Sequence, residues 1–88
     1  MIPFYVLIRA KKGQSFLAAQ EASKIEGVKM AHTVTGTFDV ILYAEANNIQ
    51  DIKRVYETVH EIGAVVRTET AIHTWFKGNK RATKGDKG

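Results

Sequence analysis

The chain has 88 residues, which sets a ceiling of one domain, and it contains no cysteine, which excludes disulfides, thiolate metal sites and a cysteine nucleophile. Its formal net charge of +4 resides in residues 77–88, which hold five basic residues and one acid, whereas residues 1–76 hold eight of each sign. A charge-neutral body argues against a nucleic-acid face, and no run reaches the ~18 apolar residues of a membrane span.

Pro3 to Arg9 alternates and is rich in aromatic and β-branched residues, which predicts a first strand. Lys11-Lys12-Gly13-Gln14 reads as a turn, and Ser15 is placed to cap a helix carrying Leu17, Ala18, Ala22 and Ile25 on one side. Gly27 stands where a C-terminal glycine cap belongs. Val28 to Thr35 predicts strand two, Gly36-Thr37 a two-residue II′ connection, and Phe38 to Ala46 strand three. Asn48 caps a second helix, with Asp51 three residues later in a capping-box-like arrangement. Ile52, Val55, Tyr56, Val59 and Ile62 then recur at helical spacing until Gly63. Ala64 to Phe76 predicts strand four.

The order βαββαβ is the ferredoxin-like α+β plan: a four-stranded antiparallel sheet with both helices on one face. Residues 1–76 form this domain, and residues 77–88 are a basic, disordered tail. Ile25-Glu26-Gly27-Val28 and Ile62-Gly63-Ala64-Val65 each carry a helix end into a strand, a short echo of two related βαβ halves.

A strand with a solvated face should alternate apolar with polar. Strand three instead reads Phe38, Val40, Leu42, Ala44 on one side and Asp39, Ile41, Tyr43, Glu45 on the other. Strand one sets Phe4, Val6, Ile8 against Tyr5, Leu7, Arg9. Both faces are substantially apolar, so the face without helices needs a cover, and a second copy of the same sheet is the simplest one. Folding back of the extended strand four or of the tail is the other option, and the tail is nearly all polar.

Thr33-Val34-Thr35-Gly36-Thr37-Phe38-Asp39 gathers a close-approach glycine, hydroxyls and one carboxylate at a bend. Such a set suits a small zwitterion: a carboxylate for an ammonium, backbone N–H groups and hydroxyls for a carboxylate. The same residues also have a plain reading, in which Gly36 serves a tight turn and Asp39 satisfies nearby backbone donors.

The strand, the helix, Ile-x-Gly-Val, Thr-Val-Thr-Gly-Thr-Phe-Asp-Val, the second helix and Val-Val-Arg-Thr-Glu-Thr-Ala-Ile together resemble the effector-binding RAM domain of Lrp/AsnC transcription regulators. The resemblance runs from about Phe4 to Ile72, and its specific part is Val-Thr-Gly-x-x-Asp. It implies a RAM protein without the family's helix-turn-helix domain, because the chain begins directly at strand one. It implies dimers formed through the sheets, further assembly as four dimers, and amino-acid effectors held between dimers. By this resemblance Thr33, Thr35, Gly36 and Asp39, with Thr68 and Thr70 of the last strand, form the ligand shell. The extension His73-Thr74-Trp75-Phe76 departs from the usual short ending.

The implied role is a non-enzymatic, cytoplasmic amino-acid sensor without a cofactor. It would also modulate assembly of full-length Lrp/AsnC regulators by mixing with them, with no direct sequence-specific nucleic-acid contact. Two alternatives stay open: a structural interaction module that binds no small molecule, and an ACT-like amino-acid-binding domain with the same element order. No acid/base pair for a ferredoxin-like phosphatase or isomerase can be assembled. His32, His60 and His73 lack metal-ligand spacing, and Ser15 and Ser23 lack a neighbouring base. Thr35-Gly36-Thr37-Phe38 only superficially resembles an RNA-recognition strand, because Thr35 replaces the basic residue and Asp39 would repel phosphate.

Overall fold

The computed structural model describes residues 1–74. Six elements follow one another: β1 (Ile2–Ala10), α1 (Ser15–Ser23), β2 (Val28–Thr33), β3 (Val40–Ala46), α2 (Ile49–His60) and β4 (Val65–Ile72). The strands lie in the order β2-β3-β1-β4 with every neighbouring pair antiparallel. This is the ferredoxin-like plan that the sequence pattern anticipates. Strand four, expected over Ala64 to Phe76, starts at Val65 and ends at Ile72, with His73 and Thr74 outside it, while Trp75, Phe76 and the basic tail at 77–88 lie outside the described residues.

Register explains the core. Phe4, Val6 and Ile8 of β1 stand opposite Ala44, Leu42 and Val40 of β3, and all six side chains are fully buried. Residues paired across strands share a face, so this row forms one apolar floor. Ala18 and Ala22 of α1, and Ile52, Val55 and Val59 of α2, close over it. Each fully buried Val, Leu, Ile or Phe contributes roughly 1.5–3 kcal/mol relative to an exposed one. The small alanines let α1 sit low on the sheet, while Leu17, expected on the inner side, is exposed, as is Phe16.

The cap of α1 also differs from the expectation. Ser15 is the first helical residue, and Gln14 holds the cap position with no side-chain cap bond. The Gln14 N–H donates to the Lys11 carbonyl at 2.9 Å, and the Gln14 carbonyl accepts from Ala18, so the turn delivers the chain into the helix one residue early. Gly27 does not cap α1 directly. It has φ +100 in a turn closed by Val28 N–H to Ile25 O at 3.0 Å, and its carbonyl accepts from Glu45 on β3 at 3.0 Å. A Cβ there would sit 3.3 Å from the Glu45 carbonyl oxygen, so glycine is required both for conformation and for space.

The start of α2 follows the expectation. Asn48 Oδ1 accepts the Asp51 N–H at 2.9 Å, and Asp51 Oδ2 accepts the Asn47 N–H at 3.1 Å. Its buried stripe is Ile52, Val55 and Val59, whereas Tyr56 stands at the margin, 39% exposed.

The face opposite the helices carries Tyr5 and Leu7 of β1 beside Tyr43 and Ile41 of β3, with the Tyr5 and Tyr43 ring centroids 5.4 Å apart. Its charges are mixed in sign, since Glu69 on β4 stands opposite Leu7, two residues from Arg67. Arg9 and Arg67 are register partners at one end, and Glu45 lies toward the other, opposite Pro3.

Candidate functional site

The β2–β3 connection is wider than the two-residue turn expected. β2 ends at Thr33 and β3 begins at Val40, leaving six residues, 34–39, between them. The Asp39 carboxylate Oδ2 accepts the Ala10 N–H at 2.8 Å, its own N–H donates to the Ile8 carbonyl at 2.8 Å, and its carbonyl accepts from Val34 at 2.8 Å. The residue is thus bonded to β1 through backbone and side chain, and to the end of β2 through its carbonyl. Arg9 Nη1 donates to the Thr37 carbonyl, and the Arg67 guanidinium carbon stands 6.0 Å from the Phe38 ring centroid. These contacts pin the loop to the ends of β1 and β4.

Within that loop Gly36 has φ +124, a conformation that L side chains rarely adopt. A Cβ placed there would meet no atom within 4 Å. The glycine thus serves the backbone, and the space above it is open to a ligand or a neighbouring molecule. Thr33 and Thr35 are exposed beside it.

Thr68 and Thr70 are elsewhere. They pair with Ile8 and Val6 and so stand on the helix-covered face, where a groove of about 370 Å³ separates α2 from β4. Its walls are Ile49, Ile52, Lys53, Tyr56 and His60 of α2, and Thr68 and Thr70 of β4. That volume lies within the ~300–1,000 Å³ of small-molecule sites. Thr68 Oγ1 and His60 Nε2 are in hydrogen-bond contact at 2.6 Å, and His60 meets the Tyr56 ring edge-on at 5.3 Å between centroids.

Register fixes the distance between the two clusters. Thr33 pairs with Val40, Val40 with Ile8, and Ile8 with Thr68. Thr33 and Thr68 therefore lie in one row at opposite sheet edges, about 14 Å apart at ~4.8 Å per strand step. Thr33 lies on the edge strand β2 with Thr35 and Gly36 in the loop beyond it, Asp39 stands at the end of the inner strand β3 with its carboxylate on Ala10 of β1, and Thr68 and Thr70 lie on the opposite edge strand β4. A single amino acid cannot touch both sets within one chain.

On the open face the Tyr43 hydroxyl donates to Glu45 Oε2 at 3.0 Å. This hydrogen bond, with smaller contributions from burial and the neighbouring negative charge, raises the Tyr43 pKa above its ordinary value. Among the described residues there is no group of three or more His, Asp or Glu that could hold a metal ion, and no helix is long and apolar enough to cross a membrane.

The sequence does not single out Lys53, Tyr56 and His60 as site residues: in it Tyr56 joins the apolar stripe and His60 lacks metal-ligand spacing. A signal was present: Ile49, Lys53, Tyr56 and His60 fall at i, i+4, i+7 and i+11, a second stripe beside the buried one. Its meaning depends on β4, which the helical period cannot place.

The family model for the Lrp/AsnC ligand binding domain matches residues 4–75. The HTH-type transcriptional regulator LysM of Saccharolobus solfataricus is 32% identical over 60 residues, covering 66% of this chain and 42% of that protein. The chain thus spans less than half the length of that regulator. The crystal structure of TTHA0845 from Thermus thermophilus superposes with a TM-score of 0.81 at 22% identity, over 88% of this chain and 98% of that one. E. coli AsnC gives a TM-score of 0.76 at 18% identity, over 85% of this chain and 52% of that one. At these identities the two structural likenesses concern the fold.

Proposed function

The chain belongs to the Lrp/AsnC ligand-binding domain family, and on that premise we propose that it is a non-enzymatic module that binds a free amino acid at a site shared between copies. The observation that carries this reading is the division of the site. The open glycine loop runs on from edge strand β2 to Asp39, the Thr68–Thr70 pair lies on the opposite edge strand β4, and both edges are unpaired among the described residues. Two copies brought edge to edge supply both halves. The loop offers backbone N–H groups and hydroxyls to a carboxylate, and the second Asp39 oxygen faces an ammonium while the first holds Ala10.

The sheet faces supply the dimer. Tyr5, Leu7, Ile41 and Tyr43 form the apolar centre on which two copies stack face to face. Dimers then assemble further, as four dimers, through the edges that carry the divided site. In the cytoplasm such an assembly senses amino-acid level, or joins full-length Lrp/AsnC regulators and shifts their assembly.

A second reading has one specific observation in its favour. The Asp39 carboxylate is already a hydrogen-bond acceptor for Ala10, so the loop could be a structural brace in an interaction module without a small ligand. Thermal-shift measurements with each of the twenty amino acids separate the two, since a ligand that prefers the folded state raises apparent stability. A selective upward shift supports the sensor. Twenty flat responses support the brace.

A further inference from the structure

The contact between His60 and Thr68 has a direction. A hydroxyl carries one hydrogen and two lone pairs, and an imidazole nitrogen donates when it holds a proton and accepts when it does not. Thr68 Oγ1 and His60 Nε2 stand 2.6 Å apart, so a proton is shared between them. When the ring nitrogen accepts, the Thr68 hydrogen is committed to His60, and the hydroxyl shows the groove only lone pairs. When the ring nitrogen donates, the hydroxyl hydrogen is free to turn into the groove. Thr68 is thus an acceptor or a donor for a bound molecule according to the state of a histidine 8 residues away in sequence.

We infer that His60 is a positioning residue that makes effector binding pH-dependent, its imidazolium form turning the Thr68 hydroxyl into a donor for the effector's carboxylate. The inference rests on the effector-binding reading above and adds a regulation to it. The neutral ring has two tautomers, and only one of them donates through Nε2, whereas the imidazolium donates through both nitrogens. Protonation therefore removes the state in which Thr68 is committed to the ring. It also sets a positive charge directly behind the hydroxyl that meets the carboxylate. Both effects tighten binding as pH falls. The ring is placed for this. It is exposed, so it exchanges protons with solvent, and Tyr56 holds it edge-on at 5.3 Å between centroids. It lies in the last turn of α2, where a cation suits the helix C-terminus. On its own helix and just beyond, the neighbouring charged residues are Lys53, Glu57 and Glu61, and none forms an ion pair with it among the described residues. From β4 only Thr68 and Thr70 share its side of the sheet, because Arg67 and Glu69 pair with Arg9 and Leu7 on the opposite face.

The test begins with thermal-shift measurements of the full chain with each of the twenty amino acids at about pH 5.5 and about pH 8, which bracket histidine titration. The amino acid giving the largest shift is then titrated calorimetrically at both pH values. Wild type is expected to bind it roughly three- to tenfold tighter at the lower pH, the worth of one hydrogen bond of ordinary net strength. His60→Gln, which cannot titrate, is expected to bind equally at both. His60→Arg, a permanent cation at the same exposed helix end, is expected to be equally flat and to bind at about pH 8 more tightly than wild type does, a gain that misfolding cannot produce. His32→Gln and His73→Gln are expected to keep the wild-type pH dependence, which separates His60 from the other two histidines. A wild-type affinity that does not change with pH, or a dependence that survives His60→Gln or vanishes in His32→Gln, overturns the inference and leaves the effector reading standing. Flat responses to all twenty amino acids at both pH values remove the effector reading as well.

Discussion

Asp39 and Ala10, 29 residues apart, are joined by a 2.8 Å hydrogen bond from the Ala10 N–H to the Asp39 carboxylate. The bond falls where the β1–β4 ladder shifts register between Arg9 and Ala10. There the displaced backbone needs an acceptor that the ladder does not supply, and a side chain from the β2–β3 loop supplies it.

Asp39→Ala is therefore expected to destabilise the fold as well as any ligand complex. Hydrogen bonds to charged groups are worth roughly 1.5–3 kcal/mol, and the Ala10 N–H would lose its partner. Asp39→Asn keeps an oxygen acceptor and should retain most of that stability while losing the charge that attracts an ammonium. Urea unfolding of both variants beside amino-acid titrations separates the roles. Equal stability of Asp39→Ala and wild type would show that the bond to Ala10 contributes nothing.

The open face gives a second expectation. Ile41 and Leu7 are half-buried register partners at its centre, and Ile41→Glu places a charge where two sheets would meet. Wild type should scatter light as a dimer or a multiple of it, and Ile41→Glu as a monomer with an unchanged circular-dichroism spectrum. A monomeric wild type at micromolar concentration ends the proposal of sheet stacking.

A divided site can be rebuilt from two defective copies. Thr35→Val damages the loop half and Thr68→Val damages the β4 half. Each alone should bind an effector weakly. Unfolding and refolding the two together should return part of the wild-type stoichiometry, because mixed assemblies juxtapose intact halves. No recovery would place both threonines in one chain's site or outside any site.

Tyr43 supplies a pH dependence. Its pKa lies above the ordinary 10.0, chiefly because the phenol donates to Glu45. Between pH 10.0 and that raised value the folded chain holds a proton that the unfolded chain has released. The stabilisation is thus fully present below the unfolded pKa and is lost as pH rises through the folded one. The tyrosinate absorbance that distinguishes wild type from Tyr43→Phe should rise above pH 10.0, and its midpoint should fall in Glu45→Gln. An unmoved midpoint would acquit Glu45.

Much of this fold is readable because its signals are local. The period of Ile52, Val55 and Val59 and the Asn48–Asp51 pair place α2 almost to the residue. The alternation of Phe4, Val6 and Ile8 places β1 and its buried face. What escaped the sequence depends on distant partners. The loop is six residues wide and its Asp39 carboxylate is bonded to Ala10 on β1, and no feature of residues 34–39 announces that partner. His60 looks like surface until β4 brings Thr68 beside it. The six residues named for the site fall into two groups because strand order, which element order alone does not display, separates Thr33 from Thr68 by the whole width of the sheet.

The position of β1 has a kinetic consequence. It is made before the other three strands of the sheet, yet it sits inside it, paired with β3 on one side and β4 on the other. Val6 meets Leu42 and, on its other side, Thr70. On a ribosome the growing chain holds this apolar strand without either neighbour until β3 emerges, and with one edge unprotected until β4 does. Non-local pairing of this kind slows closure, since the loop entropy is lost before the contacts form. The interval before β4 arrives is when another chain's edge could take its place.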